Sequence, residues 1–275
     1  FVNPLVHICE LRNHGAPVGQ HYTFKPKPPK PYCDSLVWKR KKILDVYTTT
    51  WRAEDPRLHV HDDDLYLIFT DGWKIGYCKV NVEINDDRII DITYDNVIYP
   101  PPPSTNGFDG YDGREKNWSP VSFDGDLWVL YSYKPMIFYR LRDGHTMHVR
   151  TKIMDNWKYG FIKGGTPLVK MDNGNYLTLF HSTIVFEWKS MRHYFAGAMV
   201  FDEHLKPIAM SRYPLVAPAM SKEPNNYLDE CYVIFPAGLY RHEGQWYSSC
   251  GINDEHHRVL IINDEMLEHN LGVKV

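Results

Sequence analysis

The sequence has no Cys-x-x-Cys pair, no excess of basic residues, no apolar run of membrane length and almost no helical periodicity. Each gap removes a class of protein. The five cysteines, Cys9, Cys33, Cys78, Cys231 and Cys250, are odd in number and widely spread. That pattern suits reduced thiols and fits neither a disulfide framework nor a zinc site, so no metal and no cofactor is expected. With 31 Lys and Arg against 34 Asp and Glu, a net charge of −3, the chain lacks the basic face that holds a polyanion. Nucleic acid is therefore not an expected partner. No stretch approaches the ~18 apolar residues of a membrane helix, and the first residues, from Phe1, do not read as a signal peptide. The expected location is cytoplasmic, with no membrane span. Helix signals are confined to Asp202 to Leu205 and Asp264 to His269.

What the chain does have is a unit that recurs four times: a short polar lead-in, a strand, a tight turn and an aromatic-rich second strand. The copies open at Asp55-Pro-Arg-Leu, Asn117-Trp-Ser-Pro, Gly165-Thr-Pro-Leu and Phe235-Pro-Ala-Gly. Their second strands read Leu65-Tyr-Leu-Ile-Phe-Thr, Leu127-Trp-Val-Leu-Tyr-Ser, Tyr176-Leu-Thr-Leu-Phe-His and Gln245-Trp-Tyr-Ser-Ser-Cys. A β unit repeated at this spacing, with hairpin signals such as Asp124-Gly125 and Asn173-Gly174, predicts blades around a central axis. At 275 residues, 43% hydrophobic and 14% aromatic, one all-β domain can absorb the whole chain. The prediction is a single β-propeller domain over 1–275, recognisable as repeats over 51–275.

Residues 1–50 lack a clean copy and are expected to supply a strap and blade-completing strands. Within them, Lys25-Pro-Lys-Pro-Pro-Lys-Pro favours polyproline conformation, and Lys39-Arg-Lys-Lys reads as a solvated strand edge. Val80-Asn-Val-Glu-Ile, Ile89-Ile-Asp-Ile-Thr-Tyr and Val259-Leu-Ile-Ile are expected outer strands. Pro100-Pro-Pro-Pro and the Gly-rich stretch to Gly113 form a long irregular connection, a kind of segment that often carries function.

Inner strands of a propeller line its funnel, so the four openings converge. They bring Glu54-Asp55-Pro-Arg57, Glu115-Lys116-Asn117-Trp118, Lys163-Gly164-Gly165-Thr-Pro167 and Phe235-Pro236 to one mouth, joined by Asp254 after the fourth unit. Carboxylates grip hydroxyls, aromatic faces cover C–H surfaces, and one carboxyl can exchange a proton in glycosidic chemistry. The constellation suits a sugar. His59 and His61 beside Asp62-Asp63-Asp64 lie at a hairpin tip, away from that mouth. Trp118 and Tyr133 either stack on a sugar or fill space between blades.

In order along the chain stand Glu54-Asp55-Pro-Arg57, Glu115-Lys-Asn117, Gly164-Gly-Thr-Pro167, Tyr176-Leu-Thr-Leu-Phe-His181, Tyr194-Phe-Ala-Gly-Ala198 and Val233-Ile-Phe-Pro, with Tyr247 through Asp254. Together, from about Trp51 to Leu271, they resemble the five-bladed propellers of the β-mannoside phosphorylase family and the propeller-type β-mannosyltransferases. The resemblance implies five blades, with Asp55 as general acid passing its proton through a sugar hydroxyl. It implies Asp254 in the donor subsite with Arg57 and Asn117 nearby, and Lys163 or Lys170 with His181 facing a phosphate or leaving group. Phosphorylases of the family usually carry an Arg-Pro step after the second-repeat strand, and here it is Lys134-Pro135. Lysine supplies charge but not the bidentate fork that matches phosphate oxygens, and the Glu-Lys-Asn-Trp motif looks like the transferase branch. The expected activity is inverting glycosyl transfer, as transferase or phosphorylase. Its partners would be a sugar-nucleotide or sugar-phosphate donor and a glycan acceptor, and oligomers are common among the relatives. The alternatives are an inverting hydrolase, with Glu54, Glu115 or Asp254 activating water, and a non-catalytic glycan-binding propeller.

Overall fold

The computed structural model describes residues 54–85, 88–100, 115–186, 191–216, 233–252 and 256–275. These residues form four antiparallel sheets in chain order. The first holds β1 (Glu54–His61), β2 (Asp64–Thr70), β3 (Ile75–Asn85) and β4 (Arg88–Tyr94), and the second β5 (Ser119–Phe123), β6 (Asp126–Tyr133), β7 (Met136–Arg140) and β8 (Thr146–Val149). The third holds β9 (Phe161–Lys163), β10 (Val169–Lys170), β11 (Tyr176–Phe186), β12 (Met191–Phe201) and β13 (Pro207–Met210). The fourth holds β14 (Ile234–His242), β15 (Gln245–Ile252) and β16 (His256–Asn263), followed by α1 (Asp264–Leu271). The fold is all-β and propeller-like, and four sheets stand where the resemblance implied five. The strap and basic edge expected before residue 51 and the connection at 101–114 lie outside the described residues.

Each repeat read from the sequence begins one sheet. Three of the four inner hairpins turn through two consecutive left-handed residues, Asp62 and Asp63 (φ 48° and 62°), Asp124 and Gly125 (51° and 69°), and Glu243 and Gly244 (49° and 75°). This is the arrangement whose twist matches the flanking strands. The first turn manages without glycine because aspartate tolerates the left-handed region better than most residues. Of the two helix signals, only 264–271 is helical: Asn263 caps it through the Met266 N–H, and left-handed Gly272 (φ 74°) ends it. Asp202 to Leu205 is a turn, with Leu205 at φ 61°.

Side chains alternate across each sheet, so adjacent blades share cores. Ile68, Trp118, Val129, Tyr131 and Tyr139 fill the seam between the first two sheets. Trp128, Phe138, Trp157, Phe180 and Phe201 fill the second seam, and Leu179, Ala198, Leu239 and Trp246 the third.

A polar knot joins blades at the end away from β1's first residue. His59 Nε2 and His61 Nδ1 both reach Ser122 Oγ, at 2.9 and 3.1 Å, while that hydroxyl donates to the Val60 carbonyl at 3.2 Å. With its single proton committed, the serine oxygen accepts from both rings, which fixes their tautomers. Burial first, and the His61 charge second, lower the His59 pKa from 6.5 to about 4. Between those values the unfolded chain binds a proton that the folded protein refuses, so stability present above pH 6.5 is lost as pH falls towards 4. Replacing His59 by Gln, whose amide nitrogen can stand in for Nε2, is expected to flatten this part of a Tm-against-pH curve. An unchanged slope would remove His59 as its source.

Candidate active site

The mouth is built where β1 breaks its ladder. Pro56 cannot donate to the sheet, the pairing with β2 shifts register between Glu54 and Arg57, and Asp55 takes φ 52°. Such a bulge re-aims a side chain, and it leaves Asp55 half-buried and Arg57 buried. The Arg57 guanidinium donates from Nε to the Gly165 carbonyl at 2.8 Å and from Nη1 to the Asp55 carbonyl. It also lies 5.1 Å from the centre of the Phe235 ring. One side chain thus ties the first blade to the third and fourth.

Asn117 sits beside it, also left-handed at φ 64°, and only 6% exposed. Its Oδ1 has no hydrogen-bond partner among the described residues, an acceptor that a ligand donor can satisfy. Asp55 and Asn117 both adopt a left-handed conformation that Asp and Asn accept more readily than other non-glycine types, and both line one cleft. A shallow cleft here is lined by Asp55, Arg57, Thr70, Ile75, Asn117 and Trp118.

The third blade closes in through glycine. A Cβ on Gly164 would overlap the Asn117 carbonyl oxygen, and one on Gly165 the Leu179 carbonyl. Lys163 is opposite His181 in the ladder between β9 and β11. His181 is buried, stacked on Tyr194 (centroids 5.7 Å apart, planes 15°) and 4.6 Å from the Phe235 ring. Tyr133 is buried near the same centre. Burial raises its pKa, while the nearby Ser119 and Thr178 hydroxyls and the charge of Arg57 pull the other way. Glu115 accepts the Tyr131 hydroxyl at 3.0 Å, and its carbonyl accepts from Thr70 at 3.0 Å. Lys116 is half-buried next to it, and exposed Glu54 pairs with Thr70 across the β1–β2 ladder.

Asp55, Arg57, Asn117, Lys163 and His181 therefore belong to one region, and other expected site residues do not. Trp118 touches the cleft, but its ring is 2% exposed and packed on Tyr131 and Tyr139, with centroids 5.3 and 5.5 Å away. It fills space between blades. Lys134 is 76% exposed, and its ammonium pairs with Asp155 at 3.0 Å. Lys170 is exposed opposite Tyr176, five residues along β11 from His181 and so roughly 17 Å away at ~3.4 Å per residue. The Tyr176 hydroxyl donates to the Ser122 carbonyl at 3.3 Å, which places Lys170 at the histidine end. Asp254 lies outside the described residues. Thr70 was missed from the sequence, although it closes the second strand of the first repeat. Among the described residues no group of three or more His, Cys, Asp or Glu side chains could hold a metal ion.

The Asp55 carboxylate, the Arg57 guanidinium and the Asn117 amide thus stand together at one end of a propeller-like all-β fold. Residues 111–270, more than half of the chain, match the family described as beta-1,4-mannooligosaccharide phosphorylase. The chain belongs to this family, glycoside hydrolase family 130. Among solved structures, it is similar to a β-1,2-mannobiose phosphorylase from Listeria innocua in complex with β-1,2-mannobiose. The TM-score is 0.54 and the identity 17%, covering 81% of this chain and 61% of that one. A glycosyl hydrolase from Bacteroides ovatus gives a TM-score of 0.51 at 17% identity, covering 78% and 65%. A structure from the GH130 family of mannoside phosphorylases, which contains hydrolases that target β-1,2 mannosidic linkages in Candida mannan, gives 0.52 at 17%, covering 78% and 66%. At these identities the likeness is one of fold. The chain spans less than two thirds of the length of each of these three structures. No curated protein matches it.

Proposed function

We propose that the chain catalyses inverting transfer of a mannosyl-type unit at a β-mannosidic linkage, with phosphorolysis as the first reading. The observation that carries it is the pairing of Asp55 and Asn117, both left-handed, around buried Arg57 in one cleft. In this reading Asn117 Oδ1 and Arg57 orient the sugar. The Asp55 carboxyl gives its proton to the departing glycosidic oxygen through a sugar hydroxyl, and the acceptor attacks the anomeric carbon from the opposite face. Lys163 and His181 hold the anionic acceptor or leaving group, and Asp254 grips the sugar. Five blades belong to the same proposal: the face of the first sheet turned from the second buries Leu58, Leu67, Phe69, Cys78 and Val80, as an interior blade would.

Hydrolysis is the second reading, and a specific observation favours it. Lys134, at the position of the phosphorylase arginine, is paired with Asp155 at the surface, while Glu115 offers a further carboxylate near the mouth. Inverting hydrolysis needs two carboxyls ~6.5–9.5 Å apart with water between them. The test is incubation with β-1,4- and β-1,2-mannobiose, with and without inorganic phosphate. Mannose 1-phosphate formed only with phosphate supports phosphorolysis, and mannose alone in both supports hydrolysis. Turnover of GDP-mannose with a glycan acceptor, but not of either disaccharide, would support the transferase. Turnover of none would overturn the enzymatic reading.

A further inference from the structure

The carbonyl that ties Arg57 to the third blade belongs to a stretch outside the strand ladder. β9 ends at Lys163 and β10 begins at Val169, and Gly164-Gly165-Thr166-Pro167-Leu168 crosses between them. Two glycines in a row leave the backbone free to turn, so the Gly165 carbonyl, which accepts the Arg57 Nε–H at 2.8 Å, has to be held from outside. Two threonines do this, each 0% exposed, Thr166 and Thr178. The Gly165 carbonyl and the Thr166 N–H share one planar peptide unit, and that N–H donates to the Leu179 carbonyl at 2.8 Å. The Leu179 N–H donates in turn to Thr166 Oγ1 at 2.9 Å. Thr166 thus fills the gap between β9 and β10 along β11, with its backbone on one side and its hydroxyl on the other. Thr178 closes the clasp: its hydroxyl donates to the Thr166 carbonyl at 2.9 Å, and its oxygen lies 3.2 Å from Thr166 Oγ1. The Tyr133 hydroxyl, from the second blade, stands near it.

We infer that Thr178, acting through Thr166 and the Gly165 carbonyl, is a positioning residue that sets the aim of Arg57 at the mouth. Its consequence for a ligand rests on the sugar reading of the mouth, in which Arg57 orients the ring. An arginine side chain has many rotamers, and a fixed acceptor removes much of that freedom before any ligand arrives. An acceptor on a glycine hinge does so only while the hinge is held. Because the peptide is planar, a tilt at the Thr166 N–H is a tilt of the Gly165 oxygen, so loosening the clasp turns the acceptor away from Nε. A threonine that served stability alone would leave the Arg57 hydrogen bond as it is when its hydroxyl is removed.

The test follows the Arg57 Nε–H by nitrogen-15 NMR of the whole chain, together with calorimetry of β-1,4-mannobiose binding. In wild type this proton is expected to exchange slowly with water. Thr178→Val keeps the branched shape and removes the hydroxyl, and should speed the exchange about tenfold, the scale of one weakened hydrogen bond. It should weaken mannobiose binding by a similar factor. Thr178→Ser, which keeps the hydroxyl, should restore both. Thr178→Ala, which leaves room for water, takes the place of the valine variant if that chain does not fold. Fast exchange in wild type overturns the proposal without any variant. Unchanged exchange in the folded valine or alanine variant also overturns it, as does a serine variant that behaves like valine. Faster exchange with wild-type mannobiose affinity overturns the positioning role and leaves the clasp structural. Faster exchange in a protein whose wild type binds no mannobiose supports the hold on Arg57 and removes the sugar reading alone.

Discussion

Asp55→Asn is expected to lower turnover by about 10²–10⁴-fold, the usual contribution of a placed acid or base, with little loss of sugar affinity. The choice of asparagine follows from the backbone. At φ 52° most side chains would add strain of their own, whereas asparagine occupies the left-handed region readily. Asp55→Ala would mix lost chemistry with lost conformation. Asparagine keeps size and much of the hydrogen bonding, and removes only the exchangeable proton. Steady-state kinetics on the substrate found in the product assay, alongside a melting curve, would read the two effects apart. Near-normal turnover would move the proton to Glu54 or Glu115. Asp254→Asn should behave differently and weaken binding together with turnover, because a carboxylate that grips the sugar acts in the ground state too.

Gly164→Ala is expected to damage stability and activity together. Its new Cβ would overlap the Asn117 carbonyl oxygen and come within 2.8 Å of Ser119 Oγ. The oxygen belongs to backbone in a left-handed conformation, so it cannot rotate aside as a long side chain would. Overpacking of this kind costs about 1–3 kcal/mol, and the upper end applies because backbone must move. The displaced residue lines the cleft, so sugar affinity should fall as well. A melting temperature and calorimetric affinity equal to wild type would show that the blades are not locked in register here. Gly174→Ala, at a hairpin with nothing within 4 Å of its added Cβ, would pay only for its φ of 86° and should leave sugar binding intact.

Local chemistry explains what could be read directly. Asp124-Gly125 turns because only a few residue types accept two left-handed positions in a row, and the strands around it alternate because the pleat has a period of two. Repetition of that hairpin was enough to announce blades, and the bulge-forming Asp55-Pro56 pair and Asn117 stood out as openings. Lys163 and Lys170 could not be separated because the inner strand of the third blade is interrupted. β9 and β10 pair with β11 on either side of the Gly164 to Leu168 crossing, and no local rule shows which lysine stays level with Arg57. Lys134 looked like an arginine substitute until Asp155, from the turn of 3-10 helix at Ile153–Asn156, was found against it.

Residue types and their spacing thus decided the all-β character, the repeating hairpins, the family resemblance and most members of the mouth, since these depend on near neighbours. Arg57 reaching Gly165 across 108 positions, Trp118 turning into a seam of tyrosines and the histidines meeting on Ser122 were decided only by the packing of sheet on sheet. Long-range contacts are set by how blades close around an axis, and that closure is a property of the whole buried surface that no single stretch of chain contains.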